Sequence, residues 1–299
     1  MNAVYHMLGL TKQAFHQHLN RYFLMMEEQQ NLIPLIQQIR QDHPRLSARA
    51  MYHLIRPTSM GRDRFEAFCF ENGFKLEVKR SFIRTTNSLG VTRFPNLIME
   101  IEVVHVNQVW VSDITYYRIA DRFYYLTFIM DLFSRKIVGY SVSRDLSTEN
   151  TTIVALKMAL DNRKPIPGLI FHSDGGGQYY CKDFLIITKK HEIRNSMCDS
   201  VYENPHAERI NGTIKNDYVV QYGPKDYLQL CSMLRKAVDM YNYIKPHKAL
   251  NAISPVDFES STANKQGHPY ETKDKQSITN NTFENRYKNL LKTVNTIQA

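Results

Sequence analysis

Apolar and polar residues in the middle of the chain follow a pattern that predicts three consecutive strands. Residues 110–116 alternate apolar and polar side chains, residues 123–130 are rich in aromatic and β-branched types, and residues 136–142 follow a short polar turn. Short runs of this kind, separated by turns, are typical of neighbouring strands in one sheet. This part of the chain is therefore expected to begin a sheet.

The segments that follow predict two more strands and the helices that cover the sheet. A helix is expected to begin at Ser147 or Thr148, either of which can cap it. The apolar residues on its inward face are Ile153, Leu156 and Leu160. A buried strand at 168–173, a helix at 182–190 and a strand at 193–197 come next. The order of these elements predicts an α/β fold, a mixed five-stranded sheet with flanking helices.

The first 85 residues predict a helical region with the spacing of a helix-turn-helix. Two short helices are expected at 47–55 and 61–71, and a proline between them prevents continuation of the first. The second helix carries Arg62 and Arg64 near its start, where a recognition helix meets DNA. Helix pairs joined by a turn also occur in proteins that never bind DNA, so both interpretations stay open.

Residue 204 opens a segment with good helix-start chemistry. Asn204 suits the N-cap and Pro205 suits the first helical position. At 3.6 residues per turn, Glu208, Asn211 and Lys215 share one face of this helix. A second, apolar face is formed by Ile210, Ile214 and Tyr218. One face can therefore pack inward while the other is available for chemistry.

Four regions follow from these patterns. They are a helical region at 1–85, a polar linker at 86–100, an α/β core at 101–258 that includes a C-terminal helix at 226–243, and a polar tail at 259–299. A further helix-turn-helix unit could start at 8–13. The tail is expected to be partly disordered, because it is polar and rich in Asn and Lys.

The composition of the chain indicates which class of partner and which kinds of site to expect. The 299 residues contain 38 Lys and Arg against 29 Asp and Glu, a formal charge of +9, which favours nucleic acid over a neutral partner. The four cysteines are scattered, so neither a zinc site nor a disulfide scaffold is predicted. No signal peptide or membrane-spanning run stands out, so a cytoplasmic protein without membrane contact is expected.

Three acids are the best candidates for chemistry. Asp113 lies within a predicted strand, Asp174 directly follows another, and Glu208 opens a helix, so a sheet could bring them together. Carboxylates are the ligands that Mg²⁺ prefers, and two such ions can support phosphoryl transfer on nucleic acid. Each acid also has an ordinary structural explanation, but an aspartate inside an apolar strand is costly to bury unless a cation compensates its charge.

Other residues compete for these roles. The rival acids are Asp131, which ends a strand, and Asp199 and Glu203, which lie near the third position. The histidines that could act as ligands or bases are His172, His206 and His247. Isolated histidines are more often structural or phosphate-contacting, so the carboxylates remain the stronger hypothesis.

The segments around these acids resemble the integrase-core transposases encoded by the downstream frame of two-frame insertion sequences, in the retroviral-integrase superfamily. The resemblance covers roughly residues 45–258, and its motifs lie at 110–116, 131–139, 172–179, 203–215, 241–250 and Pro255. It implies a ribonuclease-H-like fold and a DDE triad of Asp113, Asp174 and Glu208, which are both the catalytic residues and the metal ligands. The spacing between the last two acids is two residues shorter than usual, a change that falls in the loop at 198–202 and is easily accommodated there.

The resemblance also implies a reaction and its partners. DNA at the element's terminal inverted repeats would be cleaved by water, and the freed 3′ hydroxyl would attack target DNA, with two Mg²⁺ or Mn²⁺ ions. A homo-oligomer on double-stranded DNA is expected, in the cytoplasm and at the nucleoid. Because the chain lacks a long heptad segment, an upstream-frame helix-turn-helix protein is a further expected partner, and this chain is expected to be only part of the working transposase.

The predicted DNA contacts and two rival functions complete the analysis. The residues expected to contact DNA are Lys215, Arg62, Arg64, Arg209 and His247. One rival is a metal-dependent nuclease that cuts without joining. The other is an inactive, transposase-derived DNA-binding protein, against which the presence of all three acids argues.

Overall fold

The structure is a computed structural model that describes residues 11–77, 94–198 and 204–266, together with positions 5, 7 and 9. These residues fall into two compact units. The first unit contains the described residues up to Glu77, and the second contains those from 94 to 266. The predicted end of the helical region, at residue 85, lies outside the described residues.

Between residues 11 and 77 the first unit contains the helices α1 (Lys12–Asp42), α2 (Ala48–Ile55) and α3 (Arg62–Glu71). The Ser47 hydroxyl accepts the Ala50 N–H and caps α2, while Gly61 precedes α3, which confirms the two short helices predicted from the sequence. The further helix-turn-helix unit expected to start at 8–13 lies partly outside the described residues and stays a prediction. The Thr11 side chain caps α1, a continuous helix of 31 residues that contains Pro34.

Buried apolar residues and one buried acid hold this unit together. The core of α1 packs against α2 and α3 through Leu32, Leu35, Ile36, Ile39, Met51 and Phe65. Glu28 lies under the turn between α2 and α3, where its carboxylate accepts the backbone N–H groups of Thr58 and Ser59, each at 2.8 Å. Burial opposes the charge of Glu28, but these hydrogen bonds outweigh it and lower its pKa. The turn is therefore fixed to α1.

One five-stranded sheet forms the centre of the second unit. Its strands are β1 (Val109–Ile119), β2 (Arg122–Asp131), β3 (Ile137–Ser143), β4 (Ile170–Ser173) and β5 (Arg194–Met197). The strand order is β3-β2-β1-β4-β5, in which β1, β2 and β3 are antiparallel neighbours while β1, β4 and β5 run parallel. The mixed five-stranded, ribonuclease-H-like sheet that the sequence predicts is thus confirmed.

The helices of the second unit are α4 (Thr152–Arg163), α5 (Lys182–Lys190), α6 (Pro205–Gly212), α7 (Tyr227–Asp239) and α8 (Pro255–Gln266). The buried core between the sheet and α4 and α5 includes Trp110, Ile129, Phe171, Leu156 and Phe184. At Gly139 an added Cβ would lie 2.2 Å from the Ala155 carbonyl oxygen, so only glycine lets α4 approach β3 this closely. None of the helices in the described ranges is long and apolar enough to cross a membrane.

Two predicted helix starts need correction. α4 does not begin at Ser147 or Thr148, because the Thr151 N–H and hydroxyl bond back to the Ser147 carbonyl in a separate turn before the helix. Asn204 precedes α6 as predicted, but its side chain does not cap the helix. Its amide instead donates to the Ser112 carbonyl at 3.1 Å, because that buried backbone oxygen on β1 lies within reach.

The predicted continuous helices after Pro205 and over 226–243 also differ from the structure. Residues Thr213–Val219 and Met240–Ile244 form wider π-helical turns, in which the period is no longer 3.6 residues. The polar tail expected from residue 259 begins later, because α8 continues to Gln266. Within the predicted linker, the Leu97 N–H donates to the Ser196 hydroxyl on β5, so this segment packs on the second unit.

A buried ion cluster holds α8 to the end of α4 and to the turn after β2. Arg163 forms a bidentate ion pair with Glu259 and lies 3.7 Å from Asp131. The Lys136 ammonium lies 3.6 Å from Glu259. The side chains of Arg163 and Asp131 are 4% and 0% exposed, so water contributes little to screening these charges.

Candidate active site

The parallel pairing of β1 with β4 places two of the predicted acids side by side. The last register pair of these strands is Ser112 with Ser173, and Asp113 and Asp174 are the next residue on each strand. Neighbouring strands lie about 4.8 Å apart, so two carboxylates at the same register position are close enough to repel each other. The structure therefore brings Asp113 and Asp174 together at the carboxyl end of β4.

Helix α6 is anchored to the same strand and carries the third acid. The Asn211 amide donates to the Asp113 carboxylate at 2.7 Å, and Asn204 bonds the neighbouring residue Ser112. Glu208 is exposed and lies one turn before Asn211, on the same face of the helix. Its charge reaches Asp113, whose pKa it raises. Asp174 and Glu208 thus both lie within electrostatic reach of Asp113.

Burial and mutual repulsion dominate the electrostatics of these acids. Burial, then the neighbouring Asp174 and Glu208 charges, raise the pKa of Asp113 to about 7, although hydrogen bonds from the Ile114 N–H and Asn211 oppose the rise. Burial also raises the pKa of Asp174, against a hydrogen bond from the Gly176 N–H. Without a cation, ionising these buried and neighbouring carboxylates costs free energy. A bound cation would offset their negative charges and remove that cost.

The raised pKa of Asp113, caused first by burial and then by the neighbouring acids, predicts a pH-dependent stability. The pKa of Asp113 is higher in the folded protein than in the unfolded chain, so in the absence of metal its contribution to stability falls as pH rises from about 4 to 7. We expect Asp113→Asn to raise the free energy of unfolding at pH 8 by about 2 to 4 kcal/mol and to change it little near pH 4. Denaturation in EDTA at both pH values measures the difference.

The exposed Asp161→Asn on α4 is the matched control for that measurement, and it should show no pH-dependent gain. If Asp113→Asn and the unaltered protein were equally stable at pH 8, ionisation of the Asp113 carboxylate would not destabilise the fold, and the prediction would be wrong.

The floor of the site is a buried hydroxyl pair that sequence reasoning did not single out. The Ser112 hydroxyl donates to the Phe128 carbonyl at 2.9 Å and lies 3.0 Å from the Tyr179 hydroxyl. Tyr179 belongs to the motif that follows Asp174, but nothing in the motif indicates its contact with β1. Gly176 lies close to Asp174, where an added Cβ would approach the carboxylate oxygen to 3.0 Å. The floor is therefore fixed beneath the acids.

The donor set fits a hard divalent cation. The ligands within reach are carboxylate oxygens, and the buried Asn211 carbonyl oxygen, beside Asp113, has no hydrogen-bond partner among the described residues. No group of three or more His, Cys, Asp or Glu side chains in the described ranges is arranged around one ion. Mg²⁺ is usually held by one or two carboxylates together with water and substrate phosphates, so this arrangement suits it.

The predicted DNA contacts lie in different settings. The Lys215 ammonium lies 4.6 Å from the centre of the Tyr116 ring, and burial lowers its pKa. Lys215 lies in the π-helical turn, where the 3.6-residue period used to predict its common face with Glu208 and Asn211 does not apply. Arg62 is exposed and paired with Asp63 at 2.9 Å.

The remaining predicted contacts are Arg64, Arg209 and His247. The Arg64 guanidinium lies 3.3 Å from the Met25 sulfur on α1. Arg209 is exposed on α6, whereas His247 is half-buried and follows the second π-helical turn. These two residues belong to a cluster that also contains Arg135.

Among the described residues, the rival acid Asp131 and the histidine His172 have other partners than the three acids. Asp131 pairs in register with Trp110, three residues before Asp113 on β1, and accepts the Asn107 N–H at 2.6 Å. Its role is to bind the ion cluster and the turn after β2. His172 is buried in β4 and bonds the Ser196 hydroxyl at 2.9 Å. Asp199 and Glu203 lie outside the described residues.

A second group of charged side chains lies on the other side of α6. It consists of Arg135, Arg209, Lys245, His206 and His247, which we call the cation cluster. Arg135 donates to the His206 ring nitrogen Nδ1 at 2.7 Å. Burial, then the charges of Arg135 and Arg209, lower the pKa of His206 to about 4. Burial, then Lys245, lower the pKa of His247 to about 4. Both histidines are therefore neutral at physiological pH.

Comparison with solved structures adds a weak likeness in fold. The catalytic core domain of HTLV-2 integrase, solved in complex with magnesium, aligns with 51% of this chain and 96% of its own, at 22% identity and a TM-score of 0.44. The catalytic core domain of BIV integrase aligns with 54% of this chain at 13% identity and a TM-score of 0.42.

Sequence comparison gives the family. Two family models, both described as the integrase core domain, match residues 104–202 and 190–255. An uncharacterized 31 kDa protein of insertion element IS600 from Shigella sonnei is 34% identical over 204 residues, which cover 67% of this chain and 75% of that protein. The transposase InsF of insertion sequence IS3A from Escherichia coli is 32% identical over 163 residues, and the chain spans 54% of its length. The chain therefore belongs to the IS3-type insertion-sequence transposases, enzymes of the integrase-core superfamily.

Proposed function

We propose that the second unit cuts and joins DNA strands, using divalent ions held by Asp113, Asp174 and Glu208. The observation that carries this proposal is the raised pKa of Asp113, about 7, which burial causes first and the nearby charges of Asp174 and Glu208 increase further. Such a site favours cation binding, and the family's reaction is phosphoryl transfer on DNA.

Each side chain of the site has a distinct part in this proposal. Asp113, Asp174 and Glu208 would hold the ions together, with Asp113 central because the charges of both other acids reach it. The Asn211 amide donates to one carboxylate oxygen of Asp113, and this hydrogen bond fixes the orientation of the Asp113 carboxylate. When bound, Mg²⁺ or Mn²⁺ would activate the attacking oxygen and stabilise the leaving oxygen. Water and then a 3′ hydroxyl are the nucleophiles.

DNA recognition is assigned to both units. We propose that residues 1–85 form the DNA-binding region, with α2 and α3 as the helix pair and Arg62 and Arg64 on its second helix. A linker at 86–100, a catalytic core at 101–258 and a tail complete the proposed layout. Beside the acids, Lys215 contacts backbone phosphate. The net charge of +9 supports a polyanionic partner.

The partners follow from the reaction. Cutting and joining two element ends requires two active sites on one DNA complex, so we propose a homo-oligomer assembled on the terminal inverted repeats. An upstream-frame helix-turn-helix protein is proposed to supply a coiled coil. A coiled coil needs at least two helices with a heptad repeat, and residues 11–77 contain one long helix without that repeat.

Product analysis tests the function. The full chain is incubated with labelled duplexes that carry the element's terminal repeats, with Mg²⁺ or with EDTA, and the strands are resolved under denaturing conditions. Joined strands that depend on Mg²⁺ are expected. Cut strands without joined products would identify a nuclease instead, and binding without either product would identify an inactive DNA-binding relative.

A further inference from the structure

The cation cluster lies on the face of α6 that points away from the acids. His206 and Arg209 are three residues apart and share one face, whereas Glu208 and Asn211 lie roughly half a turn around the helix. The charge of Arg209 reaches both Arg135 and His206. The cluster is therefore a separate group of side chains from the three acids.

Several hydrogen bonds fix the elements that carry the cluster. Arg135 occupies a left-handed conformation, φ 62°, in the turn before β3, and its guanidinium donates to His206 at 2.7 Å. The Asn242 side chain exchanges two hydrogen bonds of 2.9 Å with the Ile137 backbone, which ties the second π-helical turn to β3. The His247 ring contacts the edge of Tyr241, with ring centres 4.5 Å apart. The cluster is thus built by three segments that the fold holds together.

None of the described acids forms an ion pair with this cluster. Arg135, Arg209 and Lys245 make no ion pair with any described residue. The charge of Arg209 acts on Arg135, and the charges of Lys245 and Arg135 act on His247. The acids whose charge reaches it are Asp131, which is engaged by Arg163, and Asp217, which acts on Lys245. Bringing like charges together costs free energy unless an anion offsets it.

A buried polar atom in the same place also has no partner. The His247 ring nitrogen Nε2 makes no hydrogen bond with any described residue, and the backbone carbonyl of Tyr241 accepts from the same ring. Because the ring is neutral and its other nitrogen donates, Nε2 carries a lone pair, so the donors available to an anion here are the guanidinium and ammonium groups rather than this atom. Arg209 is exposed at the edge of the cluster, so an anion can reach it from solvent.

We propose that the cation cluster binds a phosphodiester group of the DNA backbone, at a position distinct from the three acids. A phosphodiester offers only acceptor oxygens and one negative charge, which matches guanidinium and ammonium donors that lack a carboxylate. The proposal rests on DNA being the substrate and specifies a second place where the strand is held. Binding there would fix the path of the DNA across α6 while the acids act on the opposite face.

Salt-dependent DNA binding tests the proposal without any chemistry. Anisotropy of a fluorescent duplex is measured in EDTA with full-length Glu208→Gln protein, alone and combined with Arg209→Gln. Loss of one phosphate contact should reduce the slope of log affinity against log salt by about 0.9 and weaken binding at low salt. Arg194→Gln, an exposed arginine on β5, is the matched control and should leave the slope unchanged.

A stability measurement separates this role from a structural one. Because Arg209 adds to a cluster of like charges, Arg209→Gln should leave the melting temperature unchanged or raise it, while a residue needed for folding would lower it. Arg209→Lys should keep most of the salt slope. An unchanged slope in Arg209→Gln, or an equal loss in Arg194→Gln, would overturn the phosphate site while leaving the proposed triad standing.

Competition with inorganic phosphate distinguishes a strand-binding site from a general anion site. Phosphate is added at constant ionic strength to the same two proteins, with chloride as the reference. Weak competition that is equal in both proteins is expected if the cluster recognises a phosphodiester within a strand. Strong competition that Arg209→Gln abolishes would show instead that the cluster is a site for free phosphate, and would overturn the assignment to DNA.

Discussion

Asp113→Asn, Asp174→Asn and Glu208→Gln should each abolish Mg²⁺-dependent strand joining while sparing DNA binding. Each substitution keeps the shape of the side chain and removes one negative charge from the group that would hold the ions. Loss of a catalytic group of this kind typically lowers the rate by about 10³-fold or more. Joined products per unit time on terminal-repeat duplexes measure the effect, and duplex anisotropy in EDTA measures binding.

The exposed Asp161→Asn on α4 controls for a general loss of charge and should join strands at the unaltered rate. A triad variant that retained joining would remove its residue from the active site. If all three variants also lost DNA binding, the acids would be needed for folding rather than for chemistry.

Arg163→Met should give the largest loss of stability in the second unit. Arg163 is the cation that Asp131 and Glu259 share, and its side chain is almost fully buried. Its removal leaves two carboxylates that repel each other in a dry environment, although Lys136 still lies 3.6 Å from Glu259. Loss of one partner from a buried ion group costs about 3 to 5 kcal/mol. Chemical denaturation followed by Trp110 fluorescence reports on this unit.

Arg194→Met, on the exposed side of β5, is the matched control and should change the free energy of unfolding by less than about 0.5 kcal/mol. Adding Glu259→Gln to Arg163→Met should restore part of the stability, because one of the two unpaired charges is then gone. A wild-type unfolding curve for Arg163→Met would show that α8 does not depend on the ion cluster.

The sequence predicts the sheet well because its strands carry local signals. The alternation around Asp113 and the aromatic run before Asp131 each define a strand, and the helices between the later strands leave only a mixed sheet. The positions of the acids on their elements were also predictable, since Asp174 directly follows a buried strand and Glu208 opens a helix.

Contacts between distant segments were not predictable in the same way. The register that places Asp113 beside Asp174 depends on pairing across about sixty residues, which no local pattern encodes. Asn211 was placed on the face of Glu208, yet its bond to Asp113 appears only when α6 packs on β1. The widened turn at Thr213–Val219 has no compositional signal, so a 3.6-residue period was assumed for Lys215.

The two asparagines that attach α6 to β1 also bear on how this protein can vary. Because Asn204 bonds Ser112 and Asn211 bonds Asp113, the first two turns of α6 are located by the strand itself, and Glu208 lies between the two attachment points. The chain entering the helix therefore need not determine where the glutamate sits. A change in the number of residues just before α6 is therefore expected to leave Glu208 at the same place relative to β1.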